Sequence, residues 1–417
     1  MLDTSPPRSL SSSRWVFHFL GAVTFLTAIG NVGLVSIMPG IGRLLAIPDY
    51  LVASIFSLSA LTWAISSPFW VKRVSRQGPN RFVRAGLVGF ILSMAGCALA
   101  VELGLLGWLA PVTTFLLFFT LRSVYGLLGS AAATATQALI ALGTEGAERT
   151  RALTTLAGAL SLGTIIGPAL APLLIVEPLG PIGPMAGFAL IGMVTWAASF
   201  LFLPHAPAVR RPIAEASRHF SLLDVWRQPA IGRHLTFGLI LCSAQAINLY
   251  TIGFVIIDRT QGGPLAAQAM VGITMTSGAV AALVAQWGIV RFLSPSPRTM
   301  MWSGALCALA GNLLAAASPT QAAAVAAFVL ASFGYGLARP GFSAAASLGG
   351  LGEHQVAIAS AVTLIAGASI TLPPILASAA YQFWLPAPFL IAAVLCAFLL
   401  GREVPRLRHP FIVHDKR

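Results

Sequence analysis

Residues 118–130 read FFTLRSVYGLLGS. Arg122 stands there among phenylalanines and leucines, with no Asp or Glu within nineteen positions on either side. A permanent cation in such a run is intelligible only once its solvent is known. The run lies in an apolar stretch, 111–138, longer than the roughly 20 residues that cross a bilayer.

The rest of the chain has the same character. Of 417 residues, 57% are hydrophobic and 9% charged, with a mean hydropathy of +0.85. Soluble domains carry about 25% charged residues, so a water-soluble globule is excluded and a bilayer is the solvent. Apolar runs of spanning length recur near 16–39, 50–70, 82–101, 111–138, 152–176, 183–204, 234–257, 266–290, 299–317, 320–346, 355–381 and 384–401. The expectation is an all-α integral membrane protein with twelve transmembrane helices. Arg8 and Arg14 precede the first run, but it is too long for a signal peptide and ends in Pro39-Gly40 rather than a cleavage site.

The formal net charge of +13 is not a nucleic-acid footprint, because it is segregated. With both termini inside, twenty-one of the 25 Lys and Arg residues fall on the cytoplasmic side, and Arg43 and Arg259 on the other. Arg122 and Arg339 remain within spans. That is the positive-inside pattern of a multi-pass inner-membrane protein. Cys97, Cys242, Cys307 and Cys396 occupy four different spans, so neither a metal site nor a disulfide framework is expected. No cofactor is expected either.

The longest polar segment separates six spans from six. The chain divides into an N-terminal bundle over 1–204, a cytoplasmic linker over 205–233 with a short amphipathic piece around Phe220–Trp226, and a C-terminal bundle over 234–417. The two bundles read as pseudo-repeats. Arg73, Pro79 and Gly86 recur as Arg291, Pro297 and Gly304, and Tyr125-Gly126-Leu127 recurs as Tyr335-Gly336-Leu337. Gly167-Pro168 in span 5 stands where span 11 has Pro373-Pro374. Parallel six-helix repeats are a transporter plan, with the substrate site near the midplane and alternating access.

Arg122 then sits near the middle of span 4, where insertion scales charge about 2.5–3.5 kcal/mol for an arginine. Gly126, Gly129 and Ala133 form a small-residue stripe along its face. Small faces admit close neighbours, so the guanidinium belongs inside the bundle. Two readings fit it: a structural clamp on neighbouring carbonyls, and a part in substrate or proton coupling. In span 5, Ala159, Gly163, Gly167 and Ala171 recur every four residues, and Pro168 removes a backbone hydrogen bond and bends the helix.

RSVYGLLG followed by ERTRALTTLAGALSLGTIIGPALA resembles helices 4 and 5 of the major facilitator superfamily, in particular its twelve-helix drug–proton antiporter branch. Arg122 and Gly126 match that branch's R-x-x-x-G motif. Gly163, Gly167 and Pro168 match the core of G-x-x-x-G-P-x-x-G-G, whose closing glycines are here Ala171-Pro172. The resemblance implies export driven by proton entry, with coupling and gating at Arg122, Gly126, Gly163, Gly167 and Pro168. Two departures stand against it. The superfamily's G-x-x-x-D-R-x-G-R-R motif is degraded to VKRVSRQGPN at 71–80, and the helix-1 acid common in the branch is replaced by Asn31. None of the twelve acids lies at mid-membrane: Asp49, Glu102, Glu177 and Asp258 belong to outer loops or helix ends, and Glu145, Glu148 and Glu353 to inner ones.

The polar residues left for a substrate are Asn31, Gln137, Gln245, Asn248 and Tyr250, with Arg339 as a second buried cation. Asn31 and Asn248 stand at matching places in spans 1 and 7. The first reading is therefore a monomeric secondary-active exporter of a small organic molecule or drug, driven by a proton gradient. The alternative is an importer or facilitator of an anionic metabolite or siderophore, favoured by two cations and no buried acid. An enzyme is not expected, since HExxH, GxSxG and P-loop patterns are absent.

Overall fold

The computed structural model of the chain describes residues 14–144, 146–203, 222–350 and 355–403, and among these there is no strand. Six apolar helices come first: α1 (Arg14–Leu44), α2 (Asp49–Gln77), α3 (Pro79–Leu105), α4 (Pro111–Gly143), α5 (Gly146–Leu173) and α6 (Gly183–Phe202). Six follow: α7 (Pro229–Arg259), α8 (Gln268–Leu283), α9 (Pro297–Ala317), α10 (Gln321–Leu348), α11 (Gln355–Thr371 and Pro373–Phe383) and α12 (Ala387–Glu403). Eleven stretches have the length and hydropathy of a membrane span, and Ala387–Arg402 is a shorter apolar helix of the same kind. The expected linker and both chain ends fall largely outside the described residues. A six-residue helix at Leu222–Arg227 stands where the amphipathic piece was expected.

Local sequence accounts for the breaks. Gly78 has φ 88°, a left-handed turn that a side chain would strain, and Pro79 then opens α3 at a position needing no N–H. The hydroxyls of Ser296 and Thr320 cap α9 and α10 by accepting from Thr299 and Ala323. In α11, Pro373 and Pro374 remove two consecutive donors, and the helix is interrupted at Leu372 rather than merely bent. The α8 helix continues as a π-helical stretch, Val284–Val290. Leu201 is 84% exposed, and Leu92, Leu99, Ile191 and Val194 are exposed with it. Such an outer surface is stable against acyl chains and not against water.

The chain packs as two compact units. The first comprises Met1–His219 with Ile256–Thr276, the second Phe220–Val255 with Ser277–Arg417. Within the first, α1 lies along α5 with almost no space between backbones. A Cβ on Gly167 would stand 2.6 Å from the Ile29 carbonyl oxygen and 2.9 Å from the Gly33 nitrogen. The segment Ile256–Thr276 joins this unit through Gln268, which donates to the Ile37 carbonyl at 3.0 Å and rests on Gly40 of α1. Within the second unit, α9 and α10 are equally close, since a Cβ on Gly334 would lie 2.5 Å from the Ala308 nitrogen.

The repeat read from sequence has a counterpart in this packing. Gly86 of α3 faces Leu128 and Ala132 of α4, while Gly304 of α9 faces Gly334 and Ala338 of α10. Gly126 faces Ser59 and Thr62 of α2, and Gly336 faces Ala282 of α8.

Candidate functional site

Arg122 is 2% exposed. Its Nη2 donates to Oδ1 of Asn31 at 2.6 Å, and the Asn31 amide nitrogen donates onward to the Tyr125 hydroxyl at 2.9 Å. The guanidinium carbon lies 4.9 Å from the centre of the Tyr125 ring and 5.7 Å from that of Phe56. Sequence spacing explains the assembly. Arg122 and Tyr125 are three apart and therefore share a face of α4, and Gly126 one step on lets α2 approach and bring Phe56. The Gly163–Gly167 stripe seats α5 against α1 on either side of Asn31's turn. An aromatic face attracts a cation through its quadrupole, by up to about 2 kcal/mol where water is excluded. A hydrogen bond from a charged donor is roughly twice as strong as a neutral one.

A matched cluster lies in the second unit. Asn248 of α7 donates its Nδ2 to Oδ1 of Asn312 and to the Tyr335 hydroxyl, both at 2.8 Å. Asn312 of α9 donates to the same hydroxyl at 2.9 Å and to the Ala308 carbonyl at 2.7 Å. Asn248, Asn312 and Tyr335 are all buried. Both clusters thus join an asparagine of the first helix of a unit to the tyrosine of the repeated Tyr-Gly-Leu. They differ in the third member, a cation from α4 in one and an amide from α9 in the other.

The remaining sequence candidates are distributed differently. Gln137 is exposed and fifteen residues further along α4, about 22 Å from Arg122 at 1.5 Å per residue. Gln245 and Tyr250 are half-buried on α7. Arg339 is exposed, so the expectation of a second buried cation does not hold. Span position specifies depth along a helix but not which way a side chain faces. Tyr125, Phe56, Asn312 and Tyr335 were not among the sequence candidates. The repeated Tyr-Gly-Leu was the signal for the two tyrosines.

A charged cluster lies at one end of the first unit. Arg43 presents Nε and Nη2 to the two carboxylate oxygens of Asp49, both at 2.8 Å, and Nη1 and Nη2 to those of Asp258, both at 3.3 Å. Asp49 is 3% exposed, whereas the side chain of Asp258 is 32% exposed. One guanidinium is therefore gripped along two edges by two carboxylates of unequal burial. Among the described residues no group of His, Cys, Asp and Glu could hold a metal ion.

Comparisons with known proteins agree with this architecture. The family model described as Major Facilitator Superfamily matches residues 20–372. Three solved structures are similar in fold. A human organic anion transporter, MFSD10 (TETRAN), is 16% identical with a TM-score of 0.63, covering 95% of this chain and 99% of its own. A bacterial homologue of the human lysosomal transporter Spinster, inward-facing and unoccupied, is 12% identical with a TM-score of 0.73, covering 95% and 93%. The nucleoside transporter NupG is 12% identical with a TM-score of 0.72, covering 94% and 100%. No curated protein sequence matches the chain.

Proposed function

The chain belongs to the major facilitator superfamily, a family of membrane transporters and not of enzymes, and on that premise we propose that it moves a small organic anion across the bilayer by alternating access. The observation that carries this reading is the chemistry around Arg122. A buried guanidinium is bonded to a neutral amide oxygen and lies over aromatic rings, and no Asp or Glu falls within nineteen positions of it in sequence. A guanidinium stays charged and donates only, so it serves as an anion contact and not as a proton carrier. Its planar fork suits a carboxylate or phosphate. Arg122 is then the anion contact, Asn31 and Tyr125 position it, and the glycines of α4 and α5 hold α2 and α1 at the required approach.

Proton-coupled export of a drug-like molecule is the second reading. It is favoured by the Arg122–Gly126 and Gly163–Gly167–Pro168 motifs together with the two carboxylates of the Asp49–Arg43–Asp258 cluster. Flux in proteoliposomes, with and without a pH gradient, separates the two. A panel of labelled organic anions and their neutral isosteres should show saturable flux of the anions, abolished by Arg122→Gln. Preferential movement of neutral or cationic compounds would reject the anion reading.

A further inference from the structure

Asn31 and Asn248 bond to equivalent tyrosines, yet they are not equally enclosed. Asn248 is 3% exposed and its amide nitrogen is shared between Asn312 and Tyr335. Asn31 is only half-buried, while its partners Arg122 and Tyr125 are each 2% exposed. The Asn31 amide is thus the least enclosed member of the cluster that holds the cation. Its orientation is set by the bonding, since turning the amide over would aim an N–H₂ at a guanidinium that also only donates.

We propose that Asn31 determines which ligands Arg122 accepts, by holding its side-chain oxygen in the place on the guanidinium that the oxygen of the transported anion takes. This rests on the reading of Arg122 as the anion contact. A neutral amide oxygen suits that part. It satisfies a buried donor that would otherwise cost free energy, but it binds a guanidinium less strongly than a carboxylate does. An entering carboxylate therefore displaces it, and a neutral ligand does not. The Asn31 amide turns aside on its own side chain, with its nitrogen still within reach of Tyr125. An aspartate at this position would instead form an internal ion pair with Arg122. Separating a buried pair leaves an uncompensated charge, so the ligand would be shut out. In the second unit the corresponding amide of Asn248 bonds instead to the neutral Asn312 and Tyr335.

The test is the melting temperature of the purified full chain in detergent, titrated with sodium benzoate at fixed ionic strength, with benzamide as the neutral isostere. Wild type should be stabilised saturably by benzoate and not by benzamide, and Arg122→Gln should abolish the response. Asn31→Ala should lower the half-saturating benzoate concentration several-fold. Asn31→Asp should lose the benzoate response while its unliganded melting temperature is equal to or above wild type. That combination separates exclusion of ligand from simple damage. Wild-type half-saturation in Asn31→Ala, or a persisting response in Asn31→Asp, overturns the role of Asn31 and leaves Arg122 as the anion contact. A response that survives Arg122→Gln, or no response in any variant, overturns both.

Discussion

Asn248 of α7 and Tyr335 of α10 are joined by a buried 2.8 Å hydrogen bond in the second unit, and the bond between Asn31 and Tyr125 in the first unit has the same partners and nearly the same length. The surroundings make them unequal in energy. Tyr335→Phe removes an acceptor shared by two buried amides, and each orphaned buried donor costs about 1–3 kcal/mol. Tyr125→Phe strands one amide that is half-open. Thermal unfolding in detergent should therefore show a clearly larger loss for Tyr335→Phe. Equal losses would mean that the second amide network contributes nothing beyond the first.

The α1–α5 contact predicts the outcome of enlarging Gly167. A leucine there meets the Ile29 carbonyl and the Gly33 nitrogen, which are main-chain atoms that cannot rotate away. Overpacking costs about 1–3 kcal/mol where the structure can adjust. Gly167→Leu should leave a membrane-inserted protein without transport. Gly158, on the same helix, has nothing within 4 Å of an added Cβ, and Gly158→Leu should transport normally. Wild-type flux in Gly167→Leu would contradict the close crossing.

Arg122→Lys separates coupling from clamping. Lysine keeps the charge but loses the planar fork and its stacking on Tyr125. The expected result is normal abundance with loss of anion flux, and Arg122→Ala should lose flux completely. Retained flux in the alanine variant would remove Arg122 from the mechanism.

The Asp49–Arg43–Asp258 cluster predicts an order of stabilities. Asp49 is buried and makes two 2.8 Å bonds from a charged donor, interactions worth about 1.5–3 kcal/mol in total context. Asp258 is a third exposed and longer-bonded, the situation of a surface pair worth less than about 1 kcal/mol. Asp49→Asn should lower the melting temperature more than Asp258→Asn. The reverse order would mean that the end of α7 carries more of the contact than its geometry indicates.

Sidedness is tested by labelling. Cysteines introduced at Ser217 and at Gly262 should react from opposite faces of the membrane, with Ser217 on the cytoplasmic face. Labelling from the same face would overturn the orientation inferred from the arginine distribution.

Much of this architecture was legible because bilayer and helix impose simple lengths. Eleven of the twelve apolar runs became stretches of spanning length and the last a shorter apolar helix, and the four-residue recurrence of Gly163 and Gly167 identified a face on which another backbone rests. Arg122 stood out because a lone cation in hydrocarbon needs a reason. Its companions did not stand out. Tyr125 is three residues away and was visible only as part of a repeated tripeptide, because its role depends on where α1 crosses α4. Asn312 lies in an alanine-rich span whose crossing with α7 no local pattern encodes. Arg339 and Gln137 show the limit most plainly: their depth could be read from position, but the side to which they face is fixed by tertiary packing. The docking of Gln268 against Gly40 joins positions more than two hundred residues apart, and nothing local announces it.

The bond between Asn31 and Arg122 also bears on how the chain is made. Synthesis proceeds from the N-terminus, so α1 enters the membrane before α4, 91 residues ahead at these two side chains. A solitary α4 would carry its guanidinium into hydrocarbon at a cost of about 2.5–3.5 kcal/mol. With α1 already in place, an amide oxygen is waiting when that charge arrives from the ribosome. The second unit has no such dependence, because Tyr335, the last of its three polar partners to be synthesised, is neutral. Two halves that share a repeat thus differ in what order of synthesis can offer them: only in the first does an earlier helix hold the amide that receives a later helix's cation.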